Sequence, residues 1–238
     1  MKSYGQFCPI AKAAEIFCER WTALVIRSLA AGAKRYSDIH RGVPLMSATL
    51  LSSRLRQLEA EGIIRRRRSR TGQHWTYHLT EAGGEFIPLL GGLGAWGQRW
   101  TRRDLVEGEL DLGLLIWGLE HSVDPRAFGP GRSVVEIGFT DQPSQKSKVW
   151  FVNQGEDCEL CVIDPGYGVD LYLSATLCDM THVYRGDISV EVALQTGRLE
   201  AIGPKAMIKA LKRWLNLGPL GKIQPVYVAA EKRQSRGG

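Results

Sequence analysis

Long apolar runs are missing from this 238-residue chain. The stretches near Leu24 and Leu115 are too short or too interrupted to span a bilayer, so no membrane role is expected. The opening MKSYGQFCPI has no apolar segment of signal-peptide length, and a secretory leader is not expected either. Cysteine is sparse. Cys8, Cys18, Cys158, Cys161 and Cys178 form an odd set without disulfide-framework spacing, which suits reduced thiols in a cytoplasm. Catalytic signatures are also missing: there is no G-x-S-x-G, P-loop or Rossmann fingerprint, and Pro165–Gly168 is a turn. The expectation is a soluble cytoplasmic protein that is not an enzyme and needs no cofactor.

What is present is an uneven charge distribution. Residues 1–104 hold 17 Lys/Arg against 8 Asp/Glu, whereas 105–238 hold 14 against 17. A basic half joined to a mildly acidic half implies two jobs, the first with a polyanion. The sharpest feature is GIIRRRRSRTGQHWTYHLT, residues 62–80. It places Arg65, Arg66, Arg67, Arg68 and Arg70 next to an alternating Trp75, Tyr77, Leu79. The alternation predicts strands at about 63–69 and 74–79 joined by a turn at Gly72. Trp75, Tyr77 and Leu79 should pack inward, with His74, Thr76 and His78 outward and the arginines around the rim.

Before this hairpin the pattern is helical. Pro9 opens a helix bearing Ile10, Ala13, Ala14 and Phe17, and a second carries Trp21, Leu24, Val25 and Leu29 towards Gly32. Ser37 is a candidate cap for a short helix closed by Gly42 and Pro44. Ser47 should cap SATLLSSRLRQLEAEG, a strong helix ending at Gly62. Leu51, Leu55 and Leu58 fall within about 60° of one another there, forming the buried stripe. Thr49, Ser53, Arg56 and Gln57 lie opposite, on a face that is either ordinary solvated surface or a hydrogen-bonding surface for base edges. Short helices, a polar helix and a basic hairpin make a winged helix-turn-helix. The polar helix would enter the major groove of duplex DNA, with Ser47, Thr49, Ser53, Arg56 and Gln57 reading base edges, and Arg65–Arg68 and Arg70 of the hairpin would hold phosphate or minor groove.

Residues 7–101 resemble the HxlR-type winged-helix regulators. The resemblance rests on Cys8-Pro9, Arg20-Trp21, Tyr36-Ser37-Asp38, Arg54-Leu55 and Leu79-Thr80, with Cys18-Glu19 standing where the family more often has small residues. It implies a homodimer that binds operator DNA. After Thr80 a long helix is expected, carrying Phe86, Leu89, Leu90, Leu93, Trp96 and Trp100 at 3-and-4 spacing, with Pro88 in its first turns or at a kink. Six glycines between 83 and 97 weaken it by about 1 kcal/mol each, which makes sense if another backbone approaches closely. In the resembled family this helix pairs with the partner's first helix; packing on the second domain is the alternative. Cys8 precedes a helix N-terminus, where the macrodipole favours thiolate, and the resemblance makes it a candidate redox-sensing thiol. An inert buried cysteine is the alternative.

The second half begins with an apolar helix over 105–121 and the breaker-rich HSVDPRAFGPGR. Strand-like runs follow at SVVEIGFT, SKVWFVNQG, CELCVID and VDLYLSAT. Val135, Ile137 and Phe139 alternate with Val134, Glu136 and Gly138, as in a sheet with one wet face. A helix over TLCDMTHVYRGD, a last strand RLEAIG and a helix opened by Pro204 complete the order. Residues 125–217 resemble a sterol-carrier-protein-like domain through Gly186-Asp187, Gly197, Leu199, Ile202 and Gly203. That implies a tunnel for a small apolar ligand, with Met207, Leu211 and Trp214 as candidate lining residues; a structural or dimerising domain is the alternative. Cys158 and Cys161 lie three apart on a strand and face opposite ways, so no metal site is expected.

The fold class is therefore α+β. A winged helix-turn-helix over 1–104 is followed by a helix and linker over 105–125, a mixed sterol-carrier-like domain over 126–220 and a partly disordered tail over 221–238. The rival reading is a lipid or acyl carrier, or an enzyme, whose basic domain targets nucleic acid or a membrane surface.

Overall fold

The computed structural model describes residues 3–69, 72–101, 105, 107–215, 218–221, 223 and 226. Arg70 and nearly all of the expected tail lie outside the described residues. The first unit runs α1 (Pro9–Phe17), α2 (Thr22–Ala30), α3 (Tyr36–Arg41), α4 (Ala48–Ala60), β1 (Ile64–Arg68), β2 (Trp75–Leu79), α5 (Glu81–Glu85) and α6 (Ile87–Trp100). Its core is built from α2, α3 and α4: Val25, Ile26, Ile39, Leu51, Leu55 and Leu58 are all buried. Each such side chain is worth about 2 kcal/mol of transfer from water.

Two local expectations are corrected. Ser37 lies inside α3; the Asp38 carboxylate accepts from the backbone N–H of Arg35 at 3.3 Å and closes the turn instead. The expected long helix after Thr80 is broken at Phe86 into α5 and α6, with Pro88 in the first turn of α6, where its missing N–H costs nothing. The Phe86 ring stacks on Phe17 at 3.6 Å, fixing that break against α1.

The second unit runs α7 (Leu112–Glu120), β3 (Ser133–Phe139), β4 (Lys148–Gln154), β5 (Asp157–Cys161), β6 (Leu171–Ala175), α8 (Leu177–Arg185), α9 (Val190–Gln195), β7 (Leu199–Ile202) and α10 (Lys205–Trp214). The apolar helix starts at Leu112 rather than 105 because the Asp111 carboxylate caps it, accepting from Leu114 N–H at 2.7 Å. The sheet order is β5-β4-β3-β6-β7, with β3 and β6 parallel and the other pairs antiparallel. Helices α7 to α10 cover the face that presents Val135, Ile137, Phe139, Phe151 and Leu173. The opposite face is only partly wet. Val134, Trp150 and Val152 are buried there with Val169 and Cys161. The return segment grips Val134: its N–H donates to the Asp170 carboxylate at 2.8 Å and its carbonyl accepts from Asp170 N–H at 2.9 Å.

The two units meet through α3 and α7. Arg41 pairs with Glu120 at 2.8 Å, and the Arg27 guanidinium lies 4.9 Å from the Trp117 ring centre. Side chains pack closely on Gly42 at this seam: a methyl group there would collide with Ser28 and crowd the Trp117 ring.

Candidate nucleic-acid interface

The polar face of α4 is held from three sides. Ser47 Oγ accepts from Leu50 N–H at 3.3 Å and caps the helix. Tyr36 donates its hydroxyl to Ala48 O at 2.8 Å, and a His40 ring nitrogen lies 2.9 Å from Met46 O. Arg54 supplies the third tie. It is buried among the leucines, where it pairs with Glu19 at 3.2 Å and donates to Arg20 O at 3.3 Å and to Gln57 Oε1 at 2.7 Å. The turn between α1 and α2 is thus fastened to α4, with Trp21 in the left-handed region at φ 78°, an uncommon conformation for a bulky residue. Thr49, Ser53 and Arg56 stand exposed on α4. Gln57 is half-buried, and its carbonyl is engaged by Arg54.

The hairpin pairs Ile64 with Leu79, Arg65 with His78, Arg66 with Tyr77, Arg67 with Thr76 and Arg68 with Trp75. Facing partners share a side, so the arginines divide into two sets. Arg66 and Arg68 lie over the Trp75 ring at 4.7 and 4.5 Å; Arg66 also pairs with Glu59 at 3.3 Å, and Arg68 donates to Gly72 O at 3.0 Å. Trp75 is consequently half-exposed under two guanidiniums, while Tyr77 and Leu79 pack on the core. This corrects the expectation that all three pack inward. Arg65 and Arg67 occupy the other side with His78 and Thr76, and among the described residues neither has a carboxylate partner. Loss of solvation, then Arg67, Lys34 and Arg65, hold the His78 imidazole below the usual histidine range. The sequence marked Arg54 only through the family resemblance, without a role, and did not mark out the Trp75 clamp at all.

The other candidates fall as follows. Cys8 is half-buried at the N-terminus of α1, while nearby Lys12 is paired with Glu15 at 3.2 Å. Leu211 and Trp214 are core residues without exposed surface. Trp214 is packed by Phe128 and Phe151 and donates to Asn153 Oδ1 at 2.8 Å. Met207 is half-buried at the edge of the same core. Cys158 packs towards the helices and Cys161 towards the opposite face, and burial pushes the Cys158 thiol up to about 12.

The description HxlR-like helix-turn-helix fits residues 16–105. Over 98 residues the chain is 36% identical to the uncharacterized HTH-type transcriptional regulator YvaP of Bacillus subtilis (strain 168), a match covering 40% of this chain and 91% of that protein. The chain belongs to the HxlR-like helix-turn-helix family. A second relative, the uncharacterized HTH-type transcriptional regulator sll1512 of Synechocystis, is 33% identical over 107 residues, covering 44% of this chain and 79% of that protein. Among solved structures, the reduced form of the transcriptional regulator YodB from B. subtilis is 30% identical, covering 39% of this chain and 93% of that one with a TM-score of 0.35. The HxlR-like match stops near the end of α6, and the second unit lies beyond it. No described helix is long and apolar enough to cross a membrane.

Proposed function

We propose that this HxlR-like protein is a transcriptional regulator that binds operator DNA as a two-fold homodimer and responds to a small effector through its second domain. One observation carries the DNA reading. A rigidly tied α4 exposes Thr49, Ser53 and Arg56 beside a hairpin whose Arg65 and Arg67 lack carboxylate partners among the described residues. Short hydroxyls and a guanidinium at the start and middle of a helix suit base edges, while unpaired arginines on a strand suit phosphate. Ser47 serves the interface as a cap and Gln57 as Arg54's partner. Arg66 and Arg68 contribute charge from the clamped side of the wing, and Arg70 extends the same run.

Dimerisation is supported by an apolar face that the described residues leave exposed. Leu89, Leu93, Trp96 and Trp100 on α6 are exposed, as are Phe7 and Ile10 at α1, with Phe7 99% accessible. Gly91 and Gly92 open space for a second backbone. Such a dimer reads half-sites about 34–36 Å apart or a multiple of that. The sterol-carrier-like reading of the second unit is supported by its element order, strands, helix, last strand and closing helix. Cys8, at the dimer-facing end of α1, is retained as a candidate thiol sensor.

Selection from a random duplex library tests base reading. Thr49→Ala and Ser53→Ala should change the selected sequences while leaving non-specific affinity nearly intact. A uniform loss across all sequences contradicts it.

A further inference from the structure

The seam between the two units forms a half-open cavity of about 690 Å3. Its walls come from both sides. Trp21, Leu24 and the Val43–Leu45 turn that leads into α4 form one wall, and Leu110 and Leu114 form another, with Gln98 of α6 between them. Gln98 donates to Arg185 O at 3.3 Å and ties α6 to the second unit. The lining is mostly apolar, with one charged group poorly served. Arg27 lines the cavity, and its Nη2 donates to Gly42 O; its ring neighbour is Trp117, and its buried Nε has no acceptor among the described residues. Among the described residues it has no carboxylate partner. Arg185, contributed to the lining by α8 of the second unit, is already beside Asp187 at 3.5 Å. Glu109 and Asp111 also reach the lining; Asp111 caps α7, and Glu109 is engaged as well.

A half-buried guanidinium with no counter-ion among the described residues, at the edge of an apolar cleft of ligand size, is matched by an anion carrying an apolar body. We propose that this seam binds an amphipathic carboxylic acid, its carboxylate on Arg27 and its aromatic or aliphatic body between Leu24, Leu45 and Leu114. The proposal deepens the effector part of the function above and moves the ligand from the interior of the second domain to the junction. Burial holds the Arg27 pKa below the usual arginine range, so an anion placed on it would meet a partly desolvated charge.

Calorimetry on the full-length protein, without DNA, tests this with 1-naphthoate and decanoate as acids and 1-naphthylmethanol as the uncharged analogue. At least one acid should bind saturably at one per chain, and the alcohol should bind at least tenfold more weakly than naphthoate. A charge-assisted hydrogen bond is worth about that factor or more. Arg27→Gln should weaken the acid about tenfold, and Leu114→Trp, which pushes an indole into the space for the ligand's body, should weaken it at least as far. Both variants are first checked for unchanged melting. Failure of both acids to bind, equal affinity for acid and alcohol on the unaltered protein, or full affinity in a folded Leu114→Trp variant overturns the site. Because no DNA is present, none of these outcomes bears on operator binding, which is measured separately.

Discussion

At position 54 a charged side chain sits where the leucine stripe of α4 turns inward. Arg54 is tolerated because Glu19, Arg20 O and Gln57 together serve its guanidinium. Charge-assisted hydrogen bonds contribute about 1.5–3 kcal/mol each when a partner is removed. Glu19 is itself partly exposed and regains water, so Arg54→Ala should cost about 2 kcal/mol, read as a lower urea midpoint. A change under about 0.5 kcal/mol would show that the clamp is ornamental. Periodicity located Leu51, Leu55 and Leu58 from sequence because burial follows the helical repeat. It could not locate Arg54's partner, which lies 35 residues away across a turn. Trp75 misled for a related reason. Alternation assigned it correctly to the inner side of β2, but two guanidiniums, rather than the core, cover it at the hairpin's outer end.

The hairpin and α6 are the elements whose behaviour follows most directly from their faces. His78 shares the outer side of the wing with Arg65 and Arg67, and its folded pKa lies below the unfolded value of 6.5. The folded state therefore resists a proton that the unfolded state accepts. This contribution to stability is present above pH 6.5 and is lost as pH falls through the folded pKa. A phosphate on the wing reverses the local field and favours the imidazolium. DNA affinity should then rise as pH falls from 7.5 towards 6, and His78→Gln should flatten that rise. Fluorescence anisotropy at the two pH values checks it, and identical profiles for both proteins would place phosphate elsewhere. On α6, Trp96→Ala with Trp100→Ala should shift sedimentation towards monomer while leaving far-ultraviolet dichroism unchanged. Intact dimers would move the dimer contact away from this face. The apolar spacing of α6 was legible from sequence, but the choice between partner and second domain was not. That choice depends on where the second unit sits, and it leaves Leu93 and Trp96 58% and 57% exposed.

Across the whole molecule, the charge imbalance between the halves and the order of strands and helices in the second unit were legible, since both are local properties of the chain. The seam was not. It is made by Arg27 with Trp117 and Arg41 with Glu120, pairs about 80 residues or more apart in sequence whose proximity no periodicity encodes. Helix α9 (Val190–Gln195) also escaped, being only six residues long. Because the cavity wall includes the turn entering α4, an acid that binds there should change duplex affinity several-fold, within the usual coupling of about 1–3 kcal/mol. Anisotropy titrations with and without saturating naphthoate measure this, and equal affinities would uncouple the seam from the DNA-reading unit. The central claim, that the wing holds phosphate, is tested most directly by the salt dependence of binding to a mixed-sequence duplex. Each lost phosphate contact lowers the slope of log K against log salt by about 0.9. The Arg65→Ala, Arg67→Ala double variant should therefore bind with a slope shallower by about 1.8, whereas an unchanged slope, or no duplex binding by the unaltered protein, would contradict the account.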